Sequence, residues 1–252
     1  MHPILFKIGP ITVYTYGFFV ALGAIIAFYH ATWQAKENNV KQDIMVSLFL
    51  WIIVSGFLGA RILYVITEFK FFLDNPVRVF FANEGFVFFG GLIFASLAVI
   101  AYSKKHNLDL YKIADILAAP IALAHSIGRI GCFFYGCCYG KPTDSCFGLL
   151  FPPDSPAGQL CATVIPTQLI SSFALLIIFC ILVIMRYVKS FDGQVFFSYV
   201  FMYAIFRFII EFFRGDPRGH VGVFSTSQVF AMFAVLIAMI MFFKLQKTRK
   251  KQ

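Results

Sequence analysis

The stretch His125-Ser126-Ile127-Gly128-Arg129-Ile130-Gly131-Cys132-Phe133-Phe134-Tyr135-Gly136-Cys137-Cys138-Tyr139-Gly140-Lys141 decides how this chain is read. It carries one arginine, Arg129, four glycines (Gly128, Gly131, Gly136, Gly140) and three of the six cysteines (Cys132, Cys137, Cys138). Up to Gly131 the run suits a membrane helix. Beyond it, the glycines and cysteines predict a loop. Arg129 lies just before that change. An arginine at mid-helix costs roughly 2.5 to 3.5 kcal/mol on insertion scales, so it is a functional candidate by default.

The rest of the chain puts that stretch in a bilayer. Of 252 residues, 60% are hydrophobic, 13% are charged and 34 are Phe. A soluble domain of this size could not hide so much apolar surface. Runs near 11–33, 44–66, 86–103, 113–131, 166–186, 194–213 and 226–244 approach the 20 or so residues that a spanning helix needs. The expected fold is an all-α integral membrane protein. It has about seven transmembrane helices in one polytopic domain over 1–252, and residues 132–165 form a small outer, periplasmic-side head. The start, MHPILFKIGP, lacks a basic region and a small-residue cleavage site, so the first helix is expected to stay.

The net charge of +9 is distributed as a topology signal. With the N-terminus outside, the inner side holds Lys36, Lys41, Lys104, Lys105, Lys112, Arg186, Lys189, Lys244, Lys247, Arg249, Lys250 and Lys251, twelve in all. The outer side holds six: Lys7, Lys70, Arg78, Lys141, Arg214 and Arg218. That bias obeys the positive-inside rule and places the C-terminus in the cytoplasm. The basic tail then meets membrane lipids, and no nucleic-acid partner is expected.

Several polar positions stand out along the helices. Ile8-Gly9-Pro10 reads as a turn, and Tyr14, Tyr16 and Gly17 follow near the outer end of the first helix. Gly56 and Gly59 suit close helix approach, and Arg61, Tyr64 and Glu68 share a face, where Arg61 either snorkels or pairs with an acid. Gly90 and Gly91, in the run that opens at Gly85, allow close approach to a neighbour or a ligand. Asp115 reads as an N-terminal charge on its helix. His125 and Arg129 lie one turn apart. Thr167 and Gln168 either bond a headgroup or satisfy a helix start. Tyr199, Tyr203, Arg207, Glu211 and Arg214 form one polar stripe. There Arg207 and Glu211 can neutralise each other, which leaves Arg214 free near the outer surface. The last run is featureless apart from Gln228.

Two helices thus each bring an arginine towards one leaflet. A guanidinium keeps its proton and offers a planar fork that matches phosphate oxygens. In a bilayer the abundant phosphates are lipid headgroups, so Arg129 and Arg207 point to an outward-facing phospholipid site. Anion transporters use such pairs too. Cys132, Cys137, Cys138, Cys146 and Cys161 fall on the oxidising side, where structural disulfides are the commonest outcome. Zinc is the weaker reading, since no pair of C-x-x-C elements occurs, and a redox dithiol is the remaining one. Cys180 reads as inert packing.

Over nearly its whole length the chain resembles prolipoprotein diacylglyceryl transferase, a bacterial inner-membrane enzyme family. The matching pieces are Ile8-Gly9-Pro10 with Tyr16-Gly17, Gly59-Ala60-Arg61-Ile62-Leu63-Tyr64, Gly90-Gly91-Leu92-Ile93, Gly128-Arg129-Ile130-Gly131 through Gly136 and Gly140, Pro166-Thr167-Gln168-Leu169, and Phe206-Arg207 through Glu211 to Arg214. The resemblance implies transfer of a diacylglyceryl group from phosphatidylglycerol to the lipobox cysteine of a prolipoprotein signal peptide. Glycerol phosphate leaves, and neither metal nor cofactor takes part. It implies headgroup binding by Arg129, with Gly131, Gly140 and Arg214 beside it, a functional Arg207, and roles for Tyr16 and Glu211. The chain departs from many members at Phe89, where they carry a histidine, and at Cys132 and Cys137, where they carry asparagine and glutamate. His125, Tyr16 and Glu211 are therefore the candidate proton acceptors. A substrate thiol receives the group, so Cys137 and Cys138 are expected to be dispensable. The competing classes are a membrane thiol-redox protein and an anion or lipid transporter.

Reporter fusions test the topology. A fusion at Lys105 is expected to report the cytoplasm and one at Pro153 the outer side. Both reporting one side would overturn the seven-helix reading.

Overall fold

The computed structural model describes residues 2–9, 11–74, 87–217 and 219–249. Pro10, Asn75-Pro76, Arg78, Gly85, Phe86, Arg218, Lys250 and Lys251 lie outside the described residues. In order the elements are β1 (Ile4–Ile8), β2 (Ile11–Tyr14), α1 (Thr15–Glu37), α2 (Gln42–Thr67), α3 (Phe69–Asp74), α4 (Phe88–Lys105), α5 (Leu110–Tyr135), a 3-10 turn (Gly158–Leu160), α6 (Thr167–Val188), α7 (Gln194–Glu211), β3 (His220–Val221), β4 (Phe224–Ser225) and α8 (Thr226–Arg249). Among the described residues, seven α-helices, all but the short α3, are long and apolar enough to cross a membrane. The protein is an all-α multi-pass membrane protein. Trp51, Phe57, Phe173, Ile184, Phe233 and Phe243 stay exposed on these helices, and lipid is the solvent that suits them.

Two boundaries differ from the sequence expectation. The first helix begins at Thr15, because residues 4–14 form an antiparallel hairpin that pairs Ile8 with Ile11 and Lys7 with Thr12. Gly9 turns it at φ +56°, and Thr15 anchors it by donating from its backbone N–H to Pro3 O at 3.0 Å. The helix carrying Arg129 runs one turn past Gly131, to Tyr135, and then stops at Gly136 with φ +81°. That left-handed position is one glycine adopts at little cost.

The chain divides into two compact units, residues 31–113 and residues 1–30 with 114–252. In the first, α2 packs on α4 through glycines. A Cβ at Gly59 would lie 2.6 Å from Gly90 O, and one at Gly90 would lie 2.6 Å from Leu63 Cβ. Gly90 and Gly91 therefore serve helix contact. Arg61 is buried at 8% exposure, so it does not snorkel, and Glu68 on the same face is exposed.

In the second unit α5 is central: half of its most apolar window is buried, at 50%, against 11–33% for the other spans. Gly23 of α1 approaches Ala124, where a Cβ would meet the Ala124 carbonyl oxygen at 3.0 Å. The Ser126 hydroxyl of α5 donates to Ser172 O of α6 at 2.8 Å, and the Ser172 hydroxyl donates back to Ser126 O at 2.9 Å. Ala118, Ala119 and Ala122 pack with Ile178 and Leu182 of α6 and with Val195 and Tyr199 of α7. Asp115 does not serve its own helix. Its carboxylate accepts from the backbone N–H of Gly193 at 3.0 Å and of Phe196 at 2.9 Å, at the start of α7, and from Lys189 Nζ at 2.9 Å. Gln228 completes a reciprocal cap on α8: Ser225 N donates to its Oε1 at 2.9 Å, and its own N–H donates to Ser225 Oγ at 3.2 Å.

Gly59→Val is expected to destabilise the protein by about 1–3 kcal/mol, read as a lower thermal midpoint in detergent. Gly56→Ala, whose Cβ would meet Ala95 Cβ at 3.7 Å, should leave the midpoint near that of the parent.

Candidate functional site

The unit of residues 1–30 and 114–252 gathers all the site residues expected from the sequence. Asp115 fixes the start of α7 against α5, and the alanine face carries the contact along both helices. Near their far ends Tyr203 meets His125, with ring centroids 5.1 Å apart, and Tyr199 stacks on Tyr203 at 6.0 Å. Arg129 and Arg207 are both within electrostatic reach of the His125 ring. The two arginines and the histidine thus share one polar neighbourhood.

The arginines are held differently. Arg207 Nη1 lies 2.5 Å from Glu211 Oε2, and its Nη2 donates to Ser227 Oγ of α8 at 2.9 Å. Arg129 has no acidic partner among the described residues, and its buried Nε has no hydrogen-bond partner. Tyr203, Cys138, Cys132 and Arg214 lie within its electrostatic reach. A fixed cation with an unspent donor has the chemistry to take an anion.

Arg214 departs from expectation. It is buried at 6% exposure and not free near the surface, because it lies beyond the end of α7 under the loop that follows α5. Its Nε and Nη2 donate to the two carboxylate oxygens of Asp216, each at 2.8 Å. That loop is tied down by backbone bonds: Gly140 N donates to Ile165 O at 2.9 Å, Lys141 N to Phe213 O at 2.8 Å, and Gly215 N to Tyr139 O at 3.1 Å. A Cβ at Gly140 would sit 2.6 Å from Ile165 O, and one at Gly215 would sit 2.5 Å from Gly140 O. Both positions thus exclude a side chain. Gly131 has a similar reason, since its Cβ would meet Phe19 Cβ at 3.0 Å and Tyr16 O at 3.2 Å where α1 crosses α5. That crossing carries Tyr16 to within 6.4 Å of the Tyr135 ring and into electrostatic reach of Arg129.

Thr167 and Gln168 serve the loop backbone and not their own helix start. Both are fully buried, and Thr167 Oγ1 donates to Cys138 O at 2.7 Å while Gln168 Nε2 donates to Cys137 O at 2.8 Å. The loop of the signature therefore hangs from the start of α6. None of the six cysteines is in a disulfide. The sulfurs of Cys132, Cys137 and Cys138 lie within 4.8 Å of one another, while Cys146 and Cys161 are exposed. Cys137 Sγ donates to Cys132 O at 3.9 Å. Beside the Cys132 and Cys137 thiols, and with the Arg214 and Arg129 guanidiniums in reach, the Cys138 thiol lies below its ordinary range against burial. Sequence reasoning missed Gly215, Asp216, Ser227 and the gathering of the three thiols. Ser227 and Gly215 meet partners far away in sequence, whereas Asp216 lies two residues from Arg214 and the thiols within seven residues, gathered by a turn that no periodicity signals.

The chain matches the family model for prolipoprotein diacylglyceryl transferase over residues 3–244. It is 38% identical to a phosphatidylglycerol–prolipoprotein diacylglyceryl transferase of Clostridium tetani over 252 residues, covering 100% of both chains. It is 35% identical over 256 residues to a second such transferase, of Clostridium perfringens, covering 100% of this chain and 98% of that one. A Dehalococcoides mccartyi transferase of the same description is 28% identical over 255 residues, covering 99% and 96%. The chain belongs to the prolipoprotein diacylglyceryl transferase family.

Gln168→Leu strands the Cys137 carbonyl and is expected to cost about 1–3 kcal/mol. The check is a lower thermal midpoint together with faster alkylation of Cys137 and Cys138.

Proposed function

We infer that this membrane enzyme transfers the diacylglyceryl group of phosphatidylglycerol to a prolipoprotein and releases glycerol phosphate. The acceptor is the lipobox cysteine thiol, presented by the signal peptide. The N-terminus lies outside and the C-terminus in the cytoplasm, so the site near Arg129 opens to the outer leaflet of the inner membrane. The observation that carries the assignment of the site is the buried, unpartnered Nε of Arg129 beside His125 and Arg207.

The chemistry follows from charge. A thiolate attacks the glycerol carbon that bears the phosphate ester, the C–S bond forms, and the C–O bond breaks with its electron pair leaving on phosphate. Arg129 holds that phosphate as charge grows on its oxygens. Preorganised donors in a water-poor site stabilise such charge strongly. Arg207 supplies the second positive charge, oriented by Glu211 and Ser227. Gly131 and Gly140 keep Tyr16 and the loop backbone close to the headgroup. Arg214, tied to Asp216, holds the loop and adds positive potential. His125, Tyr16 and Glu211 are the groups placed to receive the thiol proton.

Arg129→Lys keeps the charge and loses the fork, and Arg207→Lys does the same at the second cation. Each is expected to lower turnover roughly 10²–10³-fold at saturating phosphatidylglycerol while the protein still inserts, the cost typical of one lost preorganised donor. Thioether product from labelled lipid and a lipobox peptide is the readout. An Arg129→Lys enzyme running at the parent rate would sink the phosphate-binding role.

A further inference from the structure

We propose that Cys132, Cys137 and Cys138 form a three-thiolate site for a thiophilic divalent cation of the zinc class, whose open fourth position takes the incoming substrate thiol. The role of the fourth position rests on the transferase reading above; the metal site itself does not, and it replaces the expectations from the resemblance that no metal takes part and that Cys137 and Cys138 are dispensable.

The geometry is built and held. Cys132 sits on the last turn of α5, Gly136 turns the chain at φ +81°, and Cys138 follows at φ +62°. This turn folds a C-x4-C-C spacing into one group, with all three sulfurs within 4.8 Å of one another. Zinc–sulfur bonds of about 2.3 Å in a tetrahedron set the sulfurs about 3.8 Å apart, so closing on an ion takes about an ångström of movement. The frame that carries them is pinned. Cys137 N donates to Cys132 O at 3.2 Å, and Gln168 and Thr167, both fully buried, hold the carbonyls of Cys137 and Cys138. A disulfide would use two of the thiols and leave the third idle. A metal uses all three.

Charge and access agree. Three thiolates with a divalent cation carry a net charge of −1, and Arg129 and Arg214 both reach Cys138 electrostatically. Arg214 is already offset by Asp216, so Arg129 is the cation that balances the remaining negative charge. Among the described residues the group contains only the three sulfurs, with no histidine or carboxylate to close the fourth position. Cys132 is buried, and Cys137 and Cys138 are half-buried. Three protein ligands with an open position is the pattern of catalytic zinc, and a metal-bound thiol gives up its proton. The substrate S–H would lose its proton to water or a nearby base as the sulfur binds. The same sulfur then forms the C–S bond while the C–O bond to phosphate breaks.

Full-length protein in detergent is loaded with Zn2+ or Co2+ after chelator treatment. One equivalent per chain is expected, with a sulfur-to-cobalt charge-transfer band. Cys132→Ser, Cys137→Ser and Cys138→Ser should each lose at least ten-fold in affinity, and Cys146→Ser should not. In the unmutated protein, Zn2+ should slow alkylation of Cys137 and Cys138 at least ten-fold, a readout independent of how the variants fold. A cysteine-containing lipobox peptide should shift the cobalt spectrum, and its serine counterpart should not. Absence of stoichiometric metal, a disulfide within the cluster, or a spectrum indifferent to the cysteine peptide would overturn the proposal. Full turnover by the chelated protein would also overturn it while leaving the transferase reading intact. Metal binding and a peptide shift without any thioether product would instead overturn that reading and leave the metal site standing.

Discussion

A single carboxylate sets the arrangement of the helices that matter. Asp115 is buried at 4% exposure on α5 and binds the first N–H groups of α7 together with Lys189. The start of a helix presents unsatisfied donors and a partial positive charge, so a buried carboxylate there is satisfied on both counts. Removing it would leave those donors unsatisfied in a protein interior and Lys189 with Asp192 alone. With α7 pinned at that end, the alanine face of α5 sets the separation, and Tyr203 arrives against His125 and Arg207 near Arg129.

The other end of the unit answers a different constraint. A loop of about thirty residues carries many backbone polar groups, and each needs a partner wherever water is scarce. Here the partners come from the start of α6 and from the segment after α7. Thr167 and Gln168 take two carbonyls, and Ile165 and Phe213 pair with Gly140 and Lys141. The glycines at 140 and 215 let the two backbones touch. The result is a rigid frame for Arg214 and the thiols, the kind of support a precise site requires.

The two arginines of the site differ because their surroundings differ. Arg207 is oriented by Glu211 and fixed by Ser227, so its position is set before any ligand arrives. Arg129 keeps a buried donor in reserve. A cation without an acid is costly at membrane depth, and a family that acts on an anionic lipid gives that cost a reason. Arg214, with a bidentate carboxylate, is a structural cation first.

The sequence by itself determined the class, the seven spans and the residues worth watching. Apolar runs of membrane length, the polar stripe on α7 and an arginine beside His125 are local patterns, and local patterns survive without coordinates. The glycine-rich signature and the order of its companions carried the family as well. What only the tertiary structure decided were the partners. Nothing in the spacing tells that Asp115 caps a helix some eighty residues away, that Thr167 and Gln168 hold the loop of the signature, or that Arg207 reaches Ser227 on α8. The same holds for the thiols. Their spacing lacks a paired C-x-x-C pattern and argued against a metal, yet a helix end and one left-handed glycine draw the three sulfurs together. Propensity and periodicity report a residue's own segment, whereas a buried polar group is satisfied by whichever segment the fold brings to it.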